Sequence, residues 1–188
     1  MTIQAPRTPL FWMSSPGNTH KAGRRDFHDP ADTPWTPWLM PGTRYKLLYC
    51  NLVSGQFTLL LQVDPNIQAT SHWHVGNLQV YILEGCFYYG DGTVEIDGVR
   101  YDDRGRPHTF TTETAGVVHQ PFASDEGCLM LAMFDGPIGG YTPDGALAVM
   151  ADARLHYYMA RDHQAVHDTQ LVDYAHGSTD LHGPGAAN

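Results

Sequence analysis

Positive charge is scarce in this chain: 11 Lys and Arg stand against 20 Asp and Glu, for a formal net charge of −9. That balance excludes an electrostatic partnership with nucleic acid or an anionic membrane surface and leaves a small organic ligand as the expected partner. Cysteine is scarcer still. Cys50, Cys86 and Cys128 are odd in number, widely spaced and without a CxxC pair, so no disulfide framework is expected and all three read as reduced thiols of a cytoplasmic protein. No apolar run approaches the ~20 residues of a membrane span. The opening "MTIQAPRTPLFWMSSPGNTH" has no charged stretch leading into an apolar one, so no signal peptide is expected. Helical periodicity is rare too, and the 13 Pro and 19 Gly mark a chain rich in turns.

What remains is a succession of short β-branched and aromatic runs. "RYKLLYCNL", "GQFTLLLQV", "LQVYILEGCFYY", "TVEID", "HTFTTE" and "CLMLAMF" are separated by "VSG", "DPN", "YGDG", "DDRGRP", "TAG" and "SDEG", all good turn chemistry. Strands at such intervals predict an all-β antiparallel sandwich or barrel. One stretch, "DARLHYYMARDH", predicts a helix capped by Asp152, with Leu155, Tyr158 and Met159 on one face. The expected organisation is an N-terminal arm over 1–35, a barrel over 36–135, an extension with the helix over 136–170 and a tail over 171–188. Phe11 and Trp12 give the arm an apolar island suited to docking, and with the sheet edges they predict a homodimer or higher homo-oligomer.

The chain has 11 histidines, and most read as surface residues: His156, His163 and His167 in or after the helix, His20, His28, His176 and His182 in the arms. His72 and His74 differ. On a strand, residues two apart share a face, so these imidazoles point the same way while Trp73 points the other. Two imidazoles on one rigid face are the start of a metal site. His119, after the Gly turn of "TAGVVHQPF", is the best third ligand, and His108 the next candidate.

"HWHVGNLQVYILEG" (His72, His74, Gln79, Gly85) followed by "AGVVH" (Gly116, His119) resembles the two-part motif of the cupin superfamily. The resemblance covers about residues 36–135. It implies a double-stranded β-helix, or jelly-roll barrel, holding a metal on His72, His74 and His119 inside its open end. Most metal cupins carry a ligating glutamate where the motif places Gln79, which here either ligates directly or hydrogen-bonds to a ligand. Glu113, six residues before His119, is a second departure. Both departures resemble the three-histidine, non-haem iron cupins that cleave carbon–carbon bonds with O₂, such as the 2,4'-dihydroxyacetophenone and acetylacetone-cleaving dioxygenases. In that group a glutamate at the position of Glu113 sits near the metal and supports catalysis.

The resemblance implies Fe(II), with Zn(II), Ni(II) or Mn(II) also suited to three imidazoles. It implies a β-diketone or α-hydroxyketone substrate and O₂, with Glu113 to accept the substrate proton or orient a metal-bound water. Two alternating sets, Tyr81 and Leu83 beside Gln79, and Phe57, Leu59 and Leu61, are expected to line the pocket. The competing readings are a non-catalytic, sensor-like metal cupin and a Zn(II) or Mn(II) cupin with isomerase or hydrolytic chemistry.

Overall fold

A computed structural model describes residues 29–166 and 171–172. Phe11, Trp12, His20, His28, His167, His176 and His182 lie outside the described residues, and so does most of the arm on which the expected oligomer rests. Among the described residues, twelve strands and one α-helix follow a short 3-10 turn at Pro30–Asp32. The strands are β1 (Thr36–Pro37), β2 (Thr43–Asn51), β3 (Phe57–Val63), β4 (His72–His74), β5 (Leu78–Tyr88) and β6 (Thr93–Ile96). They continue as β7 (Val99–Asp102), β8 (Phe110–Glu113), β9 (Phe122–Phe134), β10 (Ile138–Tyr141) and β11 (Leu147–Ala151). Helix α1 (Ala153–Asp162) and β12 (Leu171–Val172) follow.

The expected jelly roll is present. A larger sheet runs β1-β2-β3-β9-β5-β8, with β12 added in parallel on β2 at Cys50–Asn51, and a smaller sheet runs β11-β10-β4. The core between them is apolar and alternates as a pleat requires: Tyr45 and Leu47 on β2, Phe57, Leu59 and Leu61 on β3, Val80 and Ile82 on β5, Met130, Ala132 and Phe134 on β9. All three cysteines are thiols, and Cys50 and Cys128 are buried among these residues.

Two features depart from the sequence reading. The HxH strand pairs with β10, and β10 with β11, so the barrel extends past residue 135 to Ala151. β10 ("IGGY") packs closely on the HxH strand: a Cβ on Gly139 would lie 2.4 Å from Trp73 Nε1. In the helix, the Asp152 cap is as expected, its carboxylate accepting from Leu155 N at 2.8 Å. The buried stripe, however, is Ala153, His156, Tyr157 and Ala160, with Leu155, Tyr158 and Met159 half-buried at its flanks.

His156 is therefore no surface residue but a fully buried one. Its Nδ1 donates to the Asp152 carbonyl (2.7 Å), its Nε2 accepts from Trp38 Nε1 (2.9 Å), and Phe57 stacks on the ring at 4.3 Å. Both nitrogens are satisfied only in the neutral form, which is why burial in this apolar setting is tolerated.

The β5–β9 register shifts between Ile82 and Glu84 and again between Gly85 and Phe87. Gly85 sits in this bulge at φ +70°, and a Cβ there would meet the Gly127 carbonyl oxygen at 2.0 Å. The inward set changes parity across it, from Leu78, Val80 and Ile82 to Phe87.

Gly85→Ala must suffer both a left-handed strain and a backbone clash. A loss of roughly 2–5 kcal/mol is expected in chemical denaturation, and wild-type stability in that variant would contradict the account of the bulge.

Burial holds the His156 imidazole down at about 4, against an ordinary 6.5. The unfolded chain takes up a proton here as pH falls below about 6.5, while the folded chain resists until about 4, so stability is lost across that window. From pH 7 to 5 this one group should cost about 2 kcal/mol. His72 acts in the same direction in metal-free protein, so the check is a comparison. Urea unfolding of His156→Gln at the two pH values should show a shallower loss than wild type, and an equal loss would refute the assignment.

Candidate metal centre

β4 is only three residues long, and its alternation is strict: His72 and His74 are 7% and 2% exposed, while Trp73 lies on the other face against Gly139. His119 is brought beside them by backbone pairing. His72 N donates to His119 O (3.1 Å) and His119 N to His72 O (2.9 Å), a single antiparallel rung added to the small sheet. The preceding turn is pinned by Gly116, at φ +79°, whose N–H donates to the His74 carbonyl at 2.8 Å. Glu113 arrives from the other sheet, at the end of edge strand β8, where its register partner on β5 is Leu78.

These four side chains meet at one point, with their ligand atoms all within 4.8 Å of one another. His119 Nε2 is 3.1 Å from His72 Nε2 and 3.2 Å from His74 Nε2. Glu113 Oε2 is 2.8 Å from His74 Nε2 and 3.1 Å from His119 Nε2. Adjacent donors at about 2.0–2.1 Å from one divalent ion stand ~3.0–3.4 Å apart, so the spacing suits a shared cation. The chemistry suits it too. His72 Nδ1 donates to the Thr70 carbonyl at 2.7 Å, which leaves the Nε2 lone pair aimed at the cluster. Burial keeps this ring neutral by drawing it down to about 4, against the opposing pull of the Thr70 carbonyl.

Glu113 is the buried anion of the group, 7% exposed. Two rings lie close to Oε2, but neither is aligned as a donor, so among the described residues that oxygen has no directed hydrogen bond. A buried carboxylate oxygen without a donor is costly unless a cation takes the place. Burial works against the anion, yet the adjacent His119 and His74 rings outweigh it and hold the carboxyl below the usual carboxylate range. The other oxygen is served by Tyr89, whose hydroxyl donates to Oε1. Burial first, and then the neighbouring carboxylate, pushes the Tyr89 phenol well above its ordinary value, so it stays a donor. Tyr89 escaped the sequence reading because strict alternation along β5 ignores the bulge at Gly85.

The expected pocket is corrected in part. Gln79 is exposed, paired between Thr112 and Met133, and cannot reach the histidines. Tyr81 and Leu83 share that outer face and are half-buried there. The inward positions of β5 are Leu78, Val80 and Ile82, because the interior excludes an unpaired amide and takes the apolar set instead. Phe57 and Leu59 are core residues, and of the β3 set Leu61 reaches the cavity beside the cluster. That cavity, of about 40 Å³, is walled by Leu61, Leu78, Val80, Met130 and Phe134 and ends at His72, His74 and Glu113. His108, the reserve ligand, is exposed at φ +69° and lies 3.3 Å from the Tyr81 hydroxyl. None of the helices among the described residues is long and apolar enough to cross a membrane.

Comparison with known proteins agrees with this architecture. An RmlC-like cupin protein from Ralstonia eutropha JMP134 superposes with a TM-score of 0.65 at 18% identity, over 82% of this chain and 96% of its own. An acetylacetone dioxygenase from Acinetobacter johnsonii gives 0.62 at 14% identity, over 76% of this chain and 95% of its own. Identities this low establish the fold alone. None of the curated protein sequences matches the chain. The sequence model of the ChrR Cupin-like domain matches residues 24–138, more than half of the chain. With its jelly roll and inward histidines, the chain belongs to that ChrR cupin-like family, within the cupin superfamily.

Proposed function

We propose that the chain is a metal-dependent dioxygenase that cleaves a carbon–carbon bond of a β-diketone or α-hydroxyketone with O₂. The observation that carries this reading is the convergence of three imidazole nitrogens and one carboxylate oxygen beside an apolar cavity. His72, His74 and His119 would hold the ion, and Fe(II) is the metal best matched to the reaction. When bound, such an ion supplies Lewis acidity toward ketone oxygens and the electrons that O₂ chemistry needs.

The chain's own groups do the rest. Three neutral rings add no negative charge, so an anionic enolate is welcome beside them. Glu113 Oε2 faces the reacting position and can take the proton of the acidic carbon. The Tyr89 hydroxyl holds Oε1, fixing which oxygen faces the cavity. Leu61, Leu78, Met130 and Phe134 keep water away and offer the substrate an apolar seat. The structural likeness to an acetylacetone dioxygenase supports the reading at the level of fold.

A second reading has its own observation. Glu113 Oε2 stands as near the ring nitrogens as they stand to each other. Four protein donors make a closed site of the structural kind, as in a sensor-like cupin with Zn(II).

Two experiments test these proposals. Ala at His72, His74 or His119 should each abolish stoichiometric metal in elemental analysis while far-ultraviolet circular dichroism stays that of the folded barrel. Full occupancy in His119→Ala would remove that residue from the ligand set. Anaerobically purified, Fe(II)-loaded protein should consume O₂ with a panel of β-diketones and hydroxyacetophenones. In Glu113→Gln the metal should remain and turnover should fall by roughly 10²–10⁴-fold. Loss of the metal from Glu113→Gln, together with no O₂ uptake by wild type, would decide for the closed site.

A further inference from the structure

The cavity beside the histidines, about 40 Å³, has room for a few water molecules and not for a diketone. A wall must therefore yield when a ketone enters. Most walls cannot, since Leu61, Leu78, Val80, Met130 and Phe134 are packed side chains of hydrogen-bonded strands. Outside the strands, Ile67, Ala69 and Pro121 are tied by backbone hydrogen bonds (Ala69 N to Pro121 O and Ala123 N to Ile67 O, both 2.9 Å), which leaves Trp38 and Met40 on the non-strand segment between β1 and β2.

Trp38 and Met40 also line a second cavity of about 180 Å³, which His72 touches as well. Its other walls include Ile138, Tyr141 and Val149 of the small sheet. Trp38, Met40 and His72 are thus walls common to the two spaces. The Trp38 indole is held by a group the chemistry above does not use. Trp38 Nε1 donates to His156 Nε2 at 2.9 Å. His156 in turn is immobile, fixed by Asp152 through Nδ1, by Tyr45 through its carbonyl (2.6 Å) and by Phe57 through stacking.

We infer that Trp38 is the movable partition between an outer chamber and the metal cavity, and that it sets the size of the ketone that reaches the histidines. His156 is its positioning residue: the helix supplies a fixed acceptor, and the indole swings only by giving up that bond. This rests on the proposed metal centre and on a chelating ketone as its ligand.

The test uses Co(II)-loaded full-length protein without oxygen, so that visible absorption reports a ligand arriving at the ion whether or not catalysis follows. Stopped-flow association is measured for acetylacetone, for the bulkier 1-phenylbutane-1,3-dione, and for azide as a small control. Trp38→Ala should speed the phenyl diketone relative to acetylacetone by roughly tenfold, the scale at which pocket size discriminates. Azide should be unaffected.

Trp38→Phe keeps a ring but has no N–H to give His156, and should show a smaller shift in the same direction. It decides the matter if the Ala variant fails to fold. Ratios equal to wild type in folded, Co(II)-replete variants would overturn the partition. Diketone binding without O₂ uptake by the Fe(II) form would sink the dioxygenase reading and leave the partition standing. No diketone binding in wild type or either variant would overturn both.

Discussion

A buried carboxylate, two buried imidazoles and a half-buried third, with their ligand atoms all within 4.8 Å of one another, are the constraint around which the molecule is arranged. An apolar barrel can hold such a group only if every polar atom has a partner or a cation to face. Much of the local structure serves that requirement. The Thr70 carbonyl fixes the His72 tautomer, the Tyr89 hydroxyl serves one carboxylate oxygen, and the remaining lone pairs face each other.

The cluster also explains why it sits where two sheets meet. His72, His74 and the His119 rung belong to the small sheet, and Glu113 ends the outermost strand of the large one. Each sheet holds its groups rigidly by backbone hydrogen bonds, so the donor set is assembled by the closure of the barrel itself. The cross-strand partner of Glu113 is Leu78, an apolar neighbour that removes competition for the same space. Away from the cluster, His156 shows the other way of burying an imidazole. It is neutral, doubly hydrogen-bonded and stacked, and it ties helix α1 to the wall of the cavity.

Much of this is written in local sequence. The period-two runs and turn residues determine strands, the short HxH determines two ring side chains on one face, and the Asp152 cap determines where the helix begins. Such features depend on neighbours in the chain, and a sequence read alone is enough for them.

Other features depend on contacts between distant segments. Whether Gln79 or Leu78 faces inward is decided by the pairing of β5 with β8 and β9. The inward turn of Tyr89 needs the bulge at Gly85, which exists because a backbone carbonyl of Gly127 fills the space of a side chain. "IGGY" becomes a strand of the barrel because Trp73 packs on Gly139. His156 reads as a surface residue of a helix until Trp38, Tyr45 and Phe57 close over it. Local sequence thus determined the strand pattern and the residues of the cluster. The tertiary structure decided which faces are inside, because burial is a property of the partner that covers a side chain and not of the side chain itself.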